Sequence, residues 1–146
     1  MAGKWVRPDN LHMTLVFLGS VDRERVPDIH RVALETAVPE FTLALDRAEF
    51  WRRNGIVCLA PSQMPEALKD LAEGLARRLG EAGFAREDRP YRAHLTLARK
   101  GRSELDALAL PEPVAWEVRS FSLVESCGGP GGLAYIPLET WPPRNP

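Results

Sequence analysis

The stretch that decides the reading is His12-Met13-Thr14-Leu15-Val16-Phe17-Leu18-Gly19, because the chain repeats its skeleton at His94-Leu95-Thr96-Leu97-Ala98-Arg99-Lys100-Gly101. His, Thr, Leu and Gly recur at the same four offsets. A strand places residues i and i+2 on one face and their neighbours on the other. Read as strands over 11–18 and 92–99, the two stretches put His12 with Thr14 and His94 with Thr96. Met13, Leu15, Leu95 and Leu97 then point to the opposite face, toward a core. Each tetrad is thus an imidazole and a hydroxyl on an element anchored by its other side.

A single His-x-Thr is a weak signal, since most such pairs are ordinary half-buried polar residues. The chain has only three His and five Thr. For two of those three His to carry Thr at +2 by chance has odds on the order of one in a few hundred. The pair therefore carries chemistry that neither member would carry alone. Side by side, the two strands offer two imidazoles flanking two hydroxyls. Imidazole titrates near neutrality, so one ring can accept a proton while the other gives one. Hydroxyls can hydrogen-bond oxygens on which charge gathers. That set suits phosphodiester cleavage and requires no metal. The residues themselves leave open which ring is acid and which is base.

The rest of the chain is an ordinary folded mixture. Its 146 residues are 45% hydrophobic and 27% charged, with a net charge of −1. They are expected to form one domain over 1–146. That balance excludes a bulk nucleic-acid binder. Charge is nonetheless concentrated around the second tetrad. Residues 86–102 hold Arg86, Arg89, Arg92, Arg99, Lys100 and Arg102 against Glu87 and Asp88. No apolar run is long enough to span a bilayer, and no secretory signal opens the chain, so a cytoplasmic protein without membrane contact is expected. Cys58 and Cys127 lack metal-ligand spacing and are read as free thiols.

Helices are expected over 23–37, 63–82 (with Ser62 as its N-cap) and 103–109. Strands are expected at Phe41–Leu45, at Ile56–Leu59 after the turn Arg53-Asn54-Gly55, and over 114–125 and 133–141. Gly128-Gly129-Pro130-Gly131-Gly132 lacks the ending of a phosphate-binding loop and reads as a hairpin connection. Trp5, Trp51, Trp116 and Trp141 are read as packing or boundary residues. Strands in groups with helices between them imply an α+β fold with antiparallel sheets.

The flanks extend the pattern. Trp5-Val6-Arg7-Pro8-Asp9-Asn10-Leu11 leads into the first tetrad, and Arg89-Pro90-Tyr91-Arg92-Ala93 into the second. With the tetrads, and with Leu123-Val124-Glu125-Ser126 and the Gly-rich stretch to Tyr135, the chain resembles the two-histidine phosphoesterase superfamily. Within it the flanks are similar to the bacterial RNA 2′,3′-cyclic phosphodiesterases, also called 2′-5′ RNA ligases. The resemblance implies a bilobal fold, two antiparallel sheets with outer helices related by a pseudo-twofold axis, and an active site in the cleft between lobes. It implies that a terminal 2′,3′-cyclic phosphate is opened to a 2′-phosphate, with weak ligation as the reverse reaction. It assigns His12 as proton donor, His94 as proton acceptor, and Thr14 and Thr96 to the phosphate. No cofactor and no metal are implied, and the partners are RNA ends or nucleotides bearing the cyclic phosphate.

Arg99 matches an arginine of that family and, with Arg92, is a candidate substrate contact. On a straight strand Arg99 lies opposite His94, so contact requires a bulge or bend. Tyr91 and Phe17 are candidates for stacking on a base, although both also suit simple packing. Two departures stand out. Ala93 replaces a common proline, and the strand and helix that usually precede the first tetrad are missing from these eleven leading residues. An unpaired sheet edge there would invite a homodimer. Two other readings compete with the hydrolase: an RNA-end binder without turnover, and a metal-dependent hydrolase.

Overall fold

Leu68, Leu71, Leu75 and Leu79 recur at helical spacing and are all buried on α2, Glu66–Glu81. The structure, a computed structural model, describes residues 4–84, 89–99, 112–129 and 132–142. The expected helix over 103–109 lies outside the described residues. α2 begins later than its sequence pattern suggests. Pro65 is its N-cap, and the Pro65 carbonyl accepts from the backbone of Leu68 and Lys69. Ser62 is used elsewhere: its backbone N–H donates to Asp46 Oδ1 at 2.7 Å and its hydroxyl to Asp46 Oδ2. The C-terminus closes through Gly83 at φ +98°. Gly83 N–H donates to the Gly80 carbonyl and Phe84 N–H to Leu79. That paired bond is a Schellman stop, whose left-handed residue suits glycine, and it turns Phe84 into the core.

α1, Val26–Leu34, is shorter than the expected 23–37. Residues 23–25 form a 3-10 turn before it, and beyond it Thr36 donates to the Val32 carbonyl at 2.8 Å. α1 and α2 share one core through Ile29, Val32, Leu71, Leu75, Leu79 and Phe84.

The strands form three antiparallel groups. β1 (Lys4–Trp5), β5 (Leu95–Arg99), β4 (Ile56–Ala60) and β3 (Arg47–Trp51) make a four-stranded sheet in that spatial order. β2 (Phe41–Leu45) pairs with β6 (Val114–Val118), and β7 (Phe121–Gly129) pairs with β8 (Gly132–Trp141). The Gly-rich stretch is indeed a hairpin connection, since pairing runs to Gly129 opposite Gly132. The fold is α+β with antiparallel sheets, as expected.

One expected strand is differently divided. The single strand over 114–125 breaks at Arg119-Ser120, and its halves join different sheets. Likewise the chain leaves β2 for β3 at Asp46, the residue that Ser62 holds. These donors hold the Asp46 carboxyl below its ordinary range. The larger correction concerns residues 11–18. They were expected as a strand, yet no strand pairs with them among the described residues. Without a strand ladder, the segment's course is fixed by side-chain packing and by side-chain bonds such as that from Tyr91 to the Thr14 carbonyl.

A second core joins β2, β4, α2 and the segment leading into β5 through Leu43, Leu45, Leu59, Leu68 and Ala93. Leu43 is completely buried there. Leu43→Ala is expected to lower stability by about 2–5 kcal/mol, read as the shift in a urea unfolding midpoint at unchanged slope.

Candidate active site

The tetrads meet through their inward residues. Met13 and Leu15 from the first, and Leu95 and Leu97 from the second, pack against the same core cluster. The tie is also polar: the Tyr91 hydroxyl donates to the Thr14 carbonyl at 2.9 Å. Burial pushes the Tyr91 phenol up to about 12, which keeps it a donor. Alternation therefore holds over residues 12–15 even without strand pairing, with Met13 and Leu15 packed inward and Thr14 exposed.

The two histidines are held alike. His12 Nδ1 lies 2.7 Å from the carbonyl of Asn10, and His94 Nδ1 lies 3.0 Å from the carbonyl of Arg92. A carbonyl can only accept, so each Nδ1 carries the proton. In the neutral ring this leaves Nε2 with a free lone pair, and in the cation it leaves Nε2–H free to donate. Each ring also rests on one aromatic. Tyr135 packs on His12 with centroids 4.4 Å apart, and Trp51 on His94 at 4.6 Å. The tilts are 48° and 50°.

The supports differ beyond that. On the His12 side, Asn10 Nδ2 donates to the Leu133 carbonyl at 2.9 Å, and Tyr135 N–H donates to Asn10 Oδ1 at 3.3 Å. Arg7 donates to the same Leu133 carbonyl. β8 thus supplies the framework that β5's neighbours supply for His94. On the His94 side the surroundings are charged. Glu49 accepts from Trp51 Nε1 at 3.0 Å and from Arg92 at 2.6 Å, and it also pairs with Arg47.

Register explains which residues share the His94 face. Glu49 pairs with Cys58 and Cys58 with Thr96, so the three stand in one row on one side of the sheet. Burial pushes the Cys58 thiol up to about 11, with the Glu49 charge adding to it, so it stays protonated. The β4–β5 register shifts between Val57 and Cys58: Val57 faces Ala98 while Cys58 faces Thr96. Leu97 is the extra residue, and the bulge inverts the alternation beyond it. Ala98 falls on Val57's side of the sheet and Arg99 on that of Thr96. The bend that an Arg99 contact requires is therefore present.

The other candidates are distributed differently. Arg92 lies with its guanidinium 4.6 Å from the Trp51 ring centroid, bonded to Glu49. Tyr91 packs on the core with its hydroxyl engaged by Thr14. Phe17 is 70% exposed. Trp51, read from sequence as packing, lies against His94 instead. Asn10, Glu49 and Tyr135 also went unassigned. Asn10 and Tyr135 had a signal, their places in the flanking pattern. The rest depend on strand pairings that no spacing reveals. Among the described residues, no group of three or more His, Cys, Asp or Glu could hold a metal ion. Cys58 and Cys127 are free thiols.

Comparison with known proteins agrees with the two-part construction. The model of the LigT-like phosphoesterase family matches twice, at residues 1–58 and 59–135, one tetrad in each. The RNA 2′,3′-cyclic phosphodiesterase of Escherichia coli is 36% identical over 143 residues, covering 96% of this chain and 80% of that protein. That of Thermus thermophilus is 33% identical, covering 93% and 73%. The crystal structure of E. coli LigT complexed with 3′-AMP superposes with a TM-score of 0.85 at 35% identity, covering 96% of this chain and 80% of that one. With matched halves, a shared fold and a tetrad in each half, the chain belongs to the LigT-like phosphoesterase family.

Proposed function

We propose that this chain, residues 1–146 acting as one domain, hydrolyses the 2′,3′-cyclic phosphate at an RNA end to a 2′-phosphate. One observation carries the reading: both Nδ1 atoms are spent on backbone carbonyls, so both Nε2 atoms are left for a substrate. Water attacks phosphorus as His94 Nε2 removes its proton. The bond from phosphorus to the 3′ oxygen breaks, and protonated His12 delivers its Nε2 proton to that oxygen. The Thr14 and Thr96 hydroxyls hold the non-bridging oxygens. Arg99, beyond the bulge and on the Thr96 face of the sheet, supplies a cation to the same phosphate. The split between donor and acceptor follows the resemblance of the flanks to the RNA 2′,3′-cyclic phosphodiesterases, whose name several relatives carry. Arg92 and the exposed Phe17 are the substrate contacts further from the phosphate, and Tyr91 contributes by holding Thr14. Weak 2′-5′ ligation follows when the 5′ hydroxyl of another RNA end takes the place of water in the same step. A cytoplasmic location is part of the same proposal, and no described helix is long and apolar enough to cross a membrane.

We also propose that a second copy of the chain pairs through an exposed sheet edge. The support is that β7 and β8 pair only with each other among the described residues, so the hairpin's outer edges carry no strand. Light scattering is expected to report a dimer, and a monomer at high concentration overturns this.

His12→Ala and His94→Ala should each lower turnover of 2′,3′-cyclic AMP by about 10²–10⁴-fold without unfolding the chain. Chelator should leave the wild-type rate unchanged. Full activity in either variant overturns the mechanism, and tight binding without product by the wild type replaces the hydrolase with an RNA-end binder. Arg99→Ala should reduce kcat/KM by about 10–100-fold, the loss of one bond to a charged group. An unchanged kcat/KM removes Arg99 from the site.

A further inference from the structure

Among the described residues, Glu49 is the acidic side chain whose bonds gather at the His94 half of the site, and the proton transfers above do not use it. Its side chain is only 14% exposed. Oε1 accepts twice, from the Trp51 indole N–H at 3.0 Å and from Arg92 at 2.6 Å, while Arg47 pairs with Oε2. Burial raises the Glu49 carboxyl, and the bonds from Trp51 and Arg92 with the charges of Arg92 and Arg47 outweigh it, so the group stays ionised. Arg92 also lies over the Trp51 ring, at 4.6 Å from its centroid. Trp51 is therefore fixed by its N–H at one edge and by a guanidinium against its ring, and it rests on His94. The backbone carbonyl that orients His94 Nδ1 belongs to Arg92 itself. Glu49 thus reaches His94 twice, through the ring that backs it and through the residue that holds its proton.

We propose that Glu49 is a positioning residue for His94, acting through Trp51 and Arg92 and not by touching the substrate. The inference rests on the proposed role of His94, but its structural half can be read without turnover. Two arms keep them apart. In the free protein, the His94 ring resonances should be single and sharp in the wild type and broadened in Glu49→Ala. In steady-state assays on 2′,3′-cyclic AMP, Glu49→Ala should lower kcat by about 10–100-fold, with KM within about twofold because the phosphate contacts remain. Glu49→Gln keeps an acceptor for the indole and loses the charge for the arginines, so it should restore much of kcat. Trp51→Phe keeps a ring but loses the N–H, and should broaden the His94 resonances without disturbing the salt links. Should Glu49→Ala fail to fold, Glu49→Gln and Trp51→Phe carry the test. Unchanged ring resonances and kcat in folded variants overturn the proposal. Broadened resonances in a protein whose wild type shows no turnover uphold the positioning and overturn the hydrolase reading instead.

Discussion

Everything at the site depends on the four apolar residues that follow the histidines and threonines. Met13, Leu15, Leu95 and Leu97 enter one core, and that shared burial pulls two distant segments together. Each is partly buried, so each contributes less than the roughly 1.5–3 kcal/mol of a fully buried side chain. The polar halves of the tetrads have no comparable force of their own to bring them close. The alternation of a β-conformation converts this hydrophobic attraction into chemistry, since what is packed inward leaves His and Thr outward. The Tyr91–Thr14 bond then fixes the offset between the two segments.

The two halves solve the same problem with different materials. His94 precedes a strand that is hydrogen-bonded on both sides, by β1 and β4. His12 precedes a segment without strand pairing, and side-chain bonds from Asn10 and Arg7 to β8 take its place. The His94 side is charged through Glu49, Arg47 and Arg92, whereas the His12 ring is supported by neutral groups, Asn10 and Tyr135. Groups of equal type in unequal surroundings are what acid and base roles require.

Much of this was legible in the sequence because it obeys short periods. The paired tetrads, the stripe of α2, the turn at Asn54-Gly55 and the Gly-rich hairpin are all local patterns. What escaped depends on partners distant in the chain. Nothing in Arg119-Ser120 announces that the strand will change sheets there. The bulge at Leu97 arises from how β4 meets β5, so the face of Arg99 could be posed only as a question. Trp51 had no motif, because its role comes from a neighbour across two strands. The N-cap was misplaced for a similar reason: Ser62 answers to Asp46, sixteen residues earlier. Residues 11–18 had the composition of a strand but, among the described residues, lack the neighbour that would make them one.

The bond that orients each imidazole ends on the main chain. Asn10 and Arg92 share no chemistry in their side chains, yet their carbonyls perform the same task at the same offset. Such a partner cannot be deleted by any single amino-acid replacement; only a change in backbone path removes it. The proton's place on each ring is thus insulated from sequence drift. Positions 10 and 92 remain free to acquire separate duties, one as a bridge to β8 and the other as a guanidinium over Trp51. Two halves with unlike surroundings thereby keep the same tautomer on both histidines.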